Sequence, residues 1–535
     1  MLMGGRKMRR NLVKVIGISF LIFFVLSWII PVGTYSGGKL DTSGIDALGL
    51  IDLFQTPISA LVTFALYIVV FAVIGGFWGV IMKTGVLDKI SRGWAIRFEG
   101  KESRFLVISV IIFSLLSSFT GLIIPLFVLV PLFAAAIFRM GYDKITALAS
   151  TVGGILIGSI GSIYGFNITG YTKNLLSLDM NNQIWARVII YVVLTLILCV
   201  TVVKSSKRNK ETSNHEEVLE VSDDVKKANN SKDASKKQSS KTIDSKKTVK
   251  NNSKKSATKK GTSKNSSKKG NTKGLAVTGN VKMVSNNKNV SAVPFAIIFV
   301  ILLIVAFVGM YNWYYSFNIS LFNDIHEAVM GVKINKFKIF EHLFSGSTQF
   351  GYWSNLDFAT LIFFASFFIG LVYKLKLNET MEAFIGGVKK WMPTALYAAL
   401  ANVILVVLYQ TLQGGTGNMV TTISGTIFGW SDGFNPFITA LATAIGSFFF
   451  NDLYYLLAGM SSFVSGFDSS SLSVAGVLIQ SVYSVMMMIF PTSVALIAGL
   501  SMFDVSYGKW IKYIWRFALI SLLLVLLVCG IITLL

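Results

Sequence analysis

The chain has 535 residues, of which 53% are hydrophobic and only 14% are charged, and its mean hydropathy is +0.64. Soluble proteins carry about 25% charged residues, so this composition excludes a soluble globular protein and predicts an all-α polytopic membrane protein. The formal net charge is +23, and most of it falls in one loop, so it describes little of the membrane part.

Apolar runs close to the ~20 residues that span a bilayer as a helix recur along the chain. The first run follows several basic residues, as a signal peptide would, but it is long and no small-residue cleavage site follows it, so we predict a retained span. Shorter apolar runs raise the expected total to about 10–12 membrane segments. The strongest runs are 11–30, 61–82, 105–117, 188–203, 294–311, 358–372, 395–408 and 511–535.

Basic residues in the short loops predict the orientation. Four of them precede the first span and a fifth, Lys14, lies in its first turn, six fall in the 83–104 loop, and the connector 31–58 holds only Lys39. Cytoplasmic loops carry an excess of Lys and Arg. We therefore expect a multi-pass protein of the bacterial plasma membrane with its N-terminus in the cytoplasm.

Residues 204–290 hold 23 Lys and Arg against eight acidic residues, a net charge of +15. Such a segment buries too little apolar surface to offset the entropy of ordering, so we predict disorder. It could be a solvated spacer or a tether to anionic lipids. Aromatic residues that would stack on bases are absent, so we do not expect nucleic-acid binding.

The loop divides the chain into a first membrane repeat, 1–203, and a second, 291–535. Each repeat has an apolar helix that breaks early at a small polar cluster, SLLSSFTGLIIP at 114–125 and YQTLQGGTGNMV at 409–420. Each also has a late break, SIYGFNITGY at 162–171 and MMMIFPTSVA at 486–495. Two repeats with discontinuous helices or re-entrant hairpins are typical of secondary transporters.

Broken helices in a membrane expose peptide groups only where protein or a wet cavity satisfies them. Helix starts then suit anions and exposed carbonyls suit cations. We therefore expect substrate or ion binding at the early breaks, with one further hypothesis, a Na⁺ site, at 414–418. The early-break candidates are Ser117, Ser118, Thr120 and Gly121 in the first repeat and Gly414, Gly415, Thr416, Gly417 and Asn418 in the second.

Two further patterns have competing interpretations. Glycines at helical spacing in GGILIGSIGS (153–162) favour close helix packing over binding. Asp452 lies in an apolar run, where a carboxylate is a functional-site hypothesis. It could pair with Na⁺, accept a proton or face a cationic substrate, but an Asn-Asp pair also suits a turn or a helix N-cap.

The run IFPTSVALIAGLSMFDVSYGKWIKYIWRF (489–517), with WIIPVGTYSGG (28–38) and FWGVIMKTGVLDKI (77–90), resembles the YfcC-like carriers of the C4-dicarboxylate anaerobic carrier family, in the ion-transporter superfamily. The resemblance implies inverted repeats, two re-entrant hairpins, and dicarboxylate or amino-acid substrates. It places Thr120, Gly121, Asn167 and residues 415–418 near substrate or ion, together with Pro491, Thr492 and Ser493. Thr169, in the same late break as Asn167, is a further binding candidate. Leu122 and Ile123 stand where that family often has acidic residues.

We therefore predict a secondary active transporter of a small carboxylate or amino acid, coupled to H⁺ or Na⁺ or working by exchange. A membrane tether acting through the basic loop is the alternative. No cluster of His, Asp, Glu or Cys and no phosphate-binding loop occurs, so we expect no enzymatic activity, no cofactor and no bound structural metal. The expected partners are the solute and the bilayer, and a homodimer is one assembly that we consider. The positive charge of residues 204–290 favours a cytoplasmic position for this loop. An inverted repeat instead needs an odd number of membrane crossings before the loop, which would put the loop outside.

Overall fold

The computed structural model describes residues 2–36, 39–42, 44–209, 290–334, 337–344, 346–409, 417–431 and 433–534. Nearly all of the predicted disordered segment, and Gly414, Gly415 and Thr416, lie outside these residues. The helix that precedes the segment continues to Asn209, six residues beyond the predicted end of the first repeat.

The first repeat is helical apart from one two-stranded hairpin, β1 (Gly33–Ser36) with β2 (Lys39–Thr42). Short 3₁₀ and π-helical turns, Pro125–Val128 and Phe166–Gly170, interrupt its helices. The helices are α1 (Leu2–Leu26), α2 (Asp52–Thr63), α3 (Ala65–Thr84), α4 (Val86–Arg97), α5 (Glu102–Thr120), α6 (Val130–Arg139), α7 (Lys144–Ile160), α8 (Tyr171–Leu176) and α9 (Ile184–Asn209).

The second repeat contains a shorter hairpin, β3 (Lys333–Ile334) with β4 (Phe337–Lys338), and a 3₁₀ turn at Gly429–Ser431. Its helices are α10 (Val293–Met310), α11 (Trp313–Phe317), α12 (Leu321–Met330), α13 (Ile339–Leu343), α14 (Asn355–Val372), α15 (Leu377–Leu400), α16 (Val403–Tyr409), α17 (Met419–Phe428), α18 (Pro436–Phe449), α19 (Leu453–Val464), α20 (Ser469–Met487), α21 (Val494–Met502) and α22 (Tyr507–Leu534).

Eight apolar segments of the described chain are long enough to cross a membrane, counting α15 and α16 as one. Six shorter apolar helices accompany them, including residues 11–26 of α1. The prediction of an all-α, multi-pass membrane protein with discontinuous helices is confirmed. The short helices arise where small polar clusters interrupt apolar runs, because glycine, proline and capping side chains there make the chain leave the helix.

The helices α5 and α6 form a hairpin that returns to the face where it begins. Helix α5 starts within the last residues of the 83–104 loop, and Arg139 at the end of α6 pairs with Asp88 and donates to Ser91 Oγ at 2.7 Å. Both residues belong to α4, in that same loop. The hairpin therefore does not change the side of the membrane on which the chain lies.

Both ends of the basic segment lie on this face. Lys89 Nζ donates to the carbonyl of Val290 at 2.7 Å, and Tyr373 Oη donates to that of Ser291 at 2.7 Å. On the other side of the segment, Ser205 Oγ lies 2.9 Å from Tyr513 Oη, near the start of α22. Because the hairpin does not cross the membrane, the first repeat begins and ends on the same face. The sequence instead suggests an odd number of membrane crossings in this repeat if a single piece is re-entrant.

The two repeats pack together through glycines on α3 and α15. A Cβ on Gly79 would lie 2.9 Å from Cα of Gly387, and a Cβ on Gly76 would overlap the Phe384 ring. Such close approach is typical of small residues at membrane-helix interfaces. The described residues of both repeats accordingly form one compact unit.

Candidate functional site

The early break of the first repeat contacts the late break of the same repeat. Helix α5 ends at Thr120, and Gly121 follows with a φ of +72° in the left-handed region. A Cβ there would lie 2.8 Å from the backbone nitrogen of Phe166 and 2.9 Å from that of Asn167. Asn167 Nδ2 in turn donates to the Gly121 carbonyl at 3.3 Å. Gly121 is therefore needed both for its backbone angle and for this approach.

Ser118 connects the same two breaks. Its Oγ donates to the carbonyl of Gly161 at 2.8 Å, and its own carbonyl accepts the Ile163 and Tyr164 backbone N–H groups at 3.0 and 3.2 Å. Ser117 is also fully buried, and its hydroxyl has no hydrogen-bond partner. Thr120 Oγ1 bonds to the Leu116 carbonyl, one helical turn back, so it caps α5 locally.

A buried arginine holds the late break of the first repeat. Arg187, near the start of α9, is 1% exposed. Its guanidinium donates to the carbonyls of Ile163 and Met180 at 2.5 and 2.6 Å and to Thr169 Oγ1 at 3.2 Å. Thr169 Oγ1 also donates to the Ser162 carbonyl at 2.9 Å. The arginine thereby satisfies carbonyls that the break leaves without helical partners.

In the second repeat, two asparagines connect three helix breaks. Asn402 lies between α15 and α16, Asn451 between α18 and α19, and Thr492 between α20 and α21. Asn451 Nδ2 donates to Asn402 Oδ1 at 2.6 Å and to the Thr492 carbonyl at 3.1 Å. Asn402 is 2% exposed, and the Thr492 hydroxyl is buried without a partner. The described residues thus hold a polar centre deep among apolar helices.

Asp452 occupies the N-cap of α19 and accepts the backbone N–H of Tyr454 at 2.9 Å. The interpretation of Asp452 as a helix N-cap is therefore confirmed. The carbonyl of the preceding residue, Asn451, accepts the Tyr483 phenol at 2.7 Å. The half-buried Asp452 carboxylate thus lies at a helix break of an apolar protein, where a carboxylate is a functional-site hypothesis.

The remaining second-repeat candidates divide between two places. Ser493 caps α21 by accepting the Leu496 backbone N–H at 3.3 Å, directly after Pro491 and Thr492. Asn418 caps α17, and its backbone pairs with that of Gly33 through two hydrogen bonds of 3.2 Å. A Cβ on Gly417 would lie 3.0 Å from the Gly33 carbonyl. The described contacts of Gly417 and Asn418 therefore include the hairpin after α1, whereas 117–121 packs against 161–167.

Helix α20 joins the broken regions of both repeats. Towards the first repeat, Ser481 Oγ donates to the carbonyl of Ile160 at 3.0 Å, and Gln480 Oε1 accepts from Thr172 Oγ1 at 3.3 Å. Towards the second, Tyr483 Oη donates to the Asn451 carbonyl at 2.7 Å. These three side chains lie within about one helical turn. Helix α20 therefore contacts both sides of the first repeat's late break and the α18–α19 break, and it ends at Met487, where the second repeat's late break begins.

Four of these side chains, Arg187, Asn402, Gln480 and Tyr483, were missed by sequence reasoning. Each is a polar residue within or beside an apolar run, and the span predicted at 188–203 begins one residue after Arg187. The rule that intramembrane ionisable residues have a function would have selected Arg187 if the span had been extended by one turn. Within the described ranges, no three His, Cys, Asp or Glu side chains come together as a metal site.

Comparison with known proteins supports a transporter. Residues 11–250 match the model of the C4-dicarboxylate anaerobic carrier family, DcuC. This match confirms the resemblance over the first repeat and, with the multi-pass helical fold, identifies the chain as a membrane transporter. Among solved structures, the Alcanivorax borkumensis YdaH transporter aligns over 97% of this chain and 98% of its own, with 12% identity and a TM-score of 0.37. No curated protein matches the chain.

Proposed function

We propose that this protein is a secondary active transporter of a small carboxylate or amino acid in the bacterial plasma membrane. The observation that carries the proposal is α20, which bonds through Gln480 and Ser481 to residues on both sides of the first repeat's late break and through Tyr483 to the α18–α19 break. Its own end, at Met487, leads into the late break of the second repeat. Transporters place their substrate between repeats, where unwound backbone lines a cavity. A helix that contacts both breaks transmits a movement of one repeat to the other, as alternating access requires.

The proposed orientation puts the face with the 83–104 loop in the cytoplasm. That face also carries Lys374 and Lys376, after α14, and both ends of the Lys-rich segment. Basic residues accumulate on the cytoplasmic side of membrane proteins. The N-terminus and the Lys-rich segment are then cytoplasmic, and the connector 31–58 lies outside.

Asp452 is the proposed coupling group, for H⁺ or for Na⁺. It combines a half-buried carboxylate, a helix start and the neighbouring Asn402–Asn451–Thr492 centre. Asn caps helices about as well as Asp, so Asp452→Asn keeps the cap and removes the charge. This variant should fold normally and lose accumulation driven by an ion gradient.

The test is uptake by proteoliposomes of a panel of labelled carboxylates and amino acids, with imposed Na⁺ or pH gradients. The proposal expects at least one solute to accumulate above equilibrium under one gradient. Asp452→Asn should lower that accumulation by about tenfold or more, which corresponds to ~1.4 kcal/mol. Lack of accumulation for every solute under both gradients would refute the proposed function, and full coupling in Asp452→Asn would refute the role of Asp452.

A further inference from the structure

Two helices outside the long spans, one in each repeat, carry an apolar face that the rest of the described chain leaves uncovered. Each face has three apolar residues at four-residue spacing, which places them on one side of the helix. They are 63–73% exposed in α2 and 40–55% exposed in α12. The α2 face consists of Phe54, Ile58 and Val62, and the α12 face consists of Leu321, Ile325 and Val329.

Both helices are held in place by other contacts, so each face has a fixed direction. Thr56 and Ala60 of α2 are buried, and α2 packs against α15 and α16. The Phe322 ring of α12 packs against the rings of Trp313 and Phe350, with centroids 5.8 and 6.2 Å apart. Each apolar face therefore points away from the protein at a set position.

Both faces lie on the side of the membrane opposite the basic loops. Helix α3 runs from Ala65 into the 83–104 loop, so its start is on that opposite side, and only Phe64 separates it from α2. Helix α10 starts beside the Lys89–Val290 bond, so it ends on the opposite side, and α12 lies in the connector between α10 and α14. Both α3 and α10 are long enough to cross a bilayer. The two faces are therefore held close to the ends of membrane spans.

Tryptophan and tyrosine side chains mark the depth of the bilayer surface near both faces. Trp28, which follows α1, is half-exposed, and its Nε1 donates to the Leu48 carbonyl at 3.0 Å. Tyr314 and Tyr315, which follow α10, are also half-exposed. Trp and Tyr concentrate at the level of the lipid headgroups. The connectors that contain α2 and α12 therefore lie at that level.

The composition of the two helices selects lipid as the occupant of their faces. Asp52 is the only charged residue of α2, and α12 has Asp324 and Glu327 but no Lys or Arg. Neither helix therefore offers a positive charge to anionic headgroups or to an acidic partner, and burial of apolar surface is the attraction that remains. The leaflet beside the spans reaches both faces without any further partner.

We propose that the α2 face and the α12 face insert into the leaflet on this side, at the boundary between headgroups and acyl chains. Amphipathic helices at that boundary lie in the plane of the membrane and bury their apolar side there. Because α2 also packs against α15 and α16, the leaflet holds the two helices that flank Asn402. The assignment is independent of the solute that the protein carries.

The experiment uses the purified full-length protein in phosphatidylcholine nanodiscs, with Cys199 and Cys529 replaced by Ala. An environment-sensitive fluorophore is attached to Ile58→Cys or to Ile325→Cys, one on each face. Glu327→Cys is the matched control, because Glu327 is also exposed and lies about 200° around α12 from Ile325. Thermal unfolding of each labelled variant checks the fold.

The readout is the emission wavelength and its quenching, by lipids brominated on the acyl chains and by iodide in the water. We expect labels on Ile58→Cys and Ile325→Cys to emit at shorter wavelength than the label on Glu327→Cys. Brominated lipid should quench the first two and iodide should not. The Glu327→Cys label should show the reverse.

Three results would overturn the assignment for the helix concerned. Quenching by iodide but not by brominated lipid would place the face in water. Protection from both quenchers would show that protein covers the face, and disulfide cross-linking between two labelled positions would then identify a second copy of this chain. Equal quenching by brominated lipid at Ile325→Cys and Glu327→Cys would show that α12 has no side that prefers the leaflet.

Discussion

Arg187 shows how a single residue stabilises non-helical backbone inside an apolar protein. Residues 161–165 lie outside any helix. The Arg187 guanidinium donates hydrogen bonds to the carbonyl of Ile163, in this segment, and to the carbonyl of Met180, in the loop before α9. An unmet backbone group in an apolar interior costs several kcal/mol. The arginine therefore contributes to the folding of the break.

Replacing Arg187 by Met should destabilise the protein. The change leaves two buried carbonyls without their donors, at ~1–3 kcal/mol each. Thermal unfolding in detergent should show a clearly lower Tm than for Arg516→Met, which removes an exposed arginine stacked on Trp515. An equal Tm for the two variants would show that Arg187 does not hold the break.

At the scale of elements, the contact between α5 and α7 is closest at Gly158. A Cβ on Gly158 would lie 2.7 Å from Ser117 Cβ and closer still to the Ser114 carbonyl, whereas a Cβ on Gly153 would meet nothing nearer than 3.7 Å. The packing interpretation of GGILIGSIGS therefore agrees with the structure at Gly158. Since Ser117 and Ser118 lie on the facing side of α5, this contact also sets the position of the early break.

Gly158→Ala should lower the Tm and the uptake rate, and Gly153→Ala should leave both nearly unchanged. Overpacking a tight interface costs about 1–3 kcal/mol, and Gly153 has room for a methyl group. The two single-methyl variants are compared by thermal unfolding and by initial uptake. Similar values for the two would contradict the proposed tight contact.

The sequence predicted where helices form better than it predicted which segments pack against each other. Runs of about 20 apolar residues identify spans, and clusters such as SSFTG identify a helix end, because both signals are local. That 117–121 meets 161–167, and that α5 and α6 form a hairpin, depend on packing between distant segments, which hydropathy does not report. The roles of Asn402 and Gln480 depend on the residues that face them from other helices, and hydropathy does not report those contacts.

At the scale of the whole molecule, one face carries the basic loops and both ends of the Lys-rich segment. The contacts described between the two repeats, those of α3 with α15 and those of α20, come from residues outside 210–285. Deleting residues 210–285 should therefore preserve uptake within about twofold, or ~0.4 kcal/mol. Loss of uptake by a deletion variant that still inserts and folds would favour the alternative, in which the protein is a membrane tether that acts through the basic segment.

Labelling of single cysteines tests the orientation. Cys199 and Cys529 are buried, so replacing both by Ala gives a background without thiols. On intact cells, a membrane-impermeant maleimide should label Thr348→Cys, in the α10–α14 connector, and should not label Lys101→Cys until the cells are opened, because the positive-inside rule puts the 83–104 loop in the cytoplasm. The reverse pattern would invert the proposed orientation.

The central claim is that the broken helices form the solute pathway, and Asn451 tests it most directly because its amide joins two further breaks. Initial uptake by proteoliposomes is measured for the unmodified protein, Asn451→Leu and Ser366→Ala, a buried α14 hydroxyl that bonds within its own helix. We predict gradient-driven uptake that falls by about tenfold or more in Asn451→Leu and stays normal in Ser366→Ala. Normal uptake by a folded Asn451→Leu protein would contradict the claim.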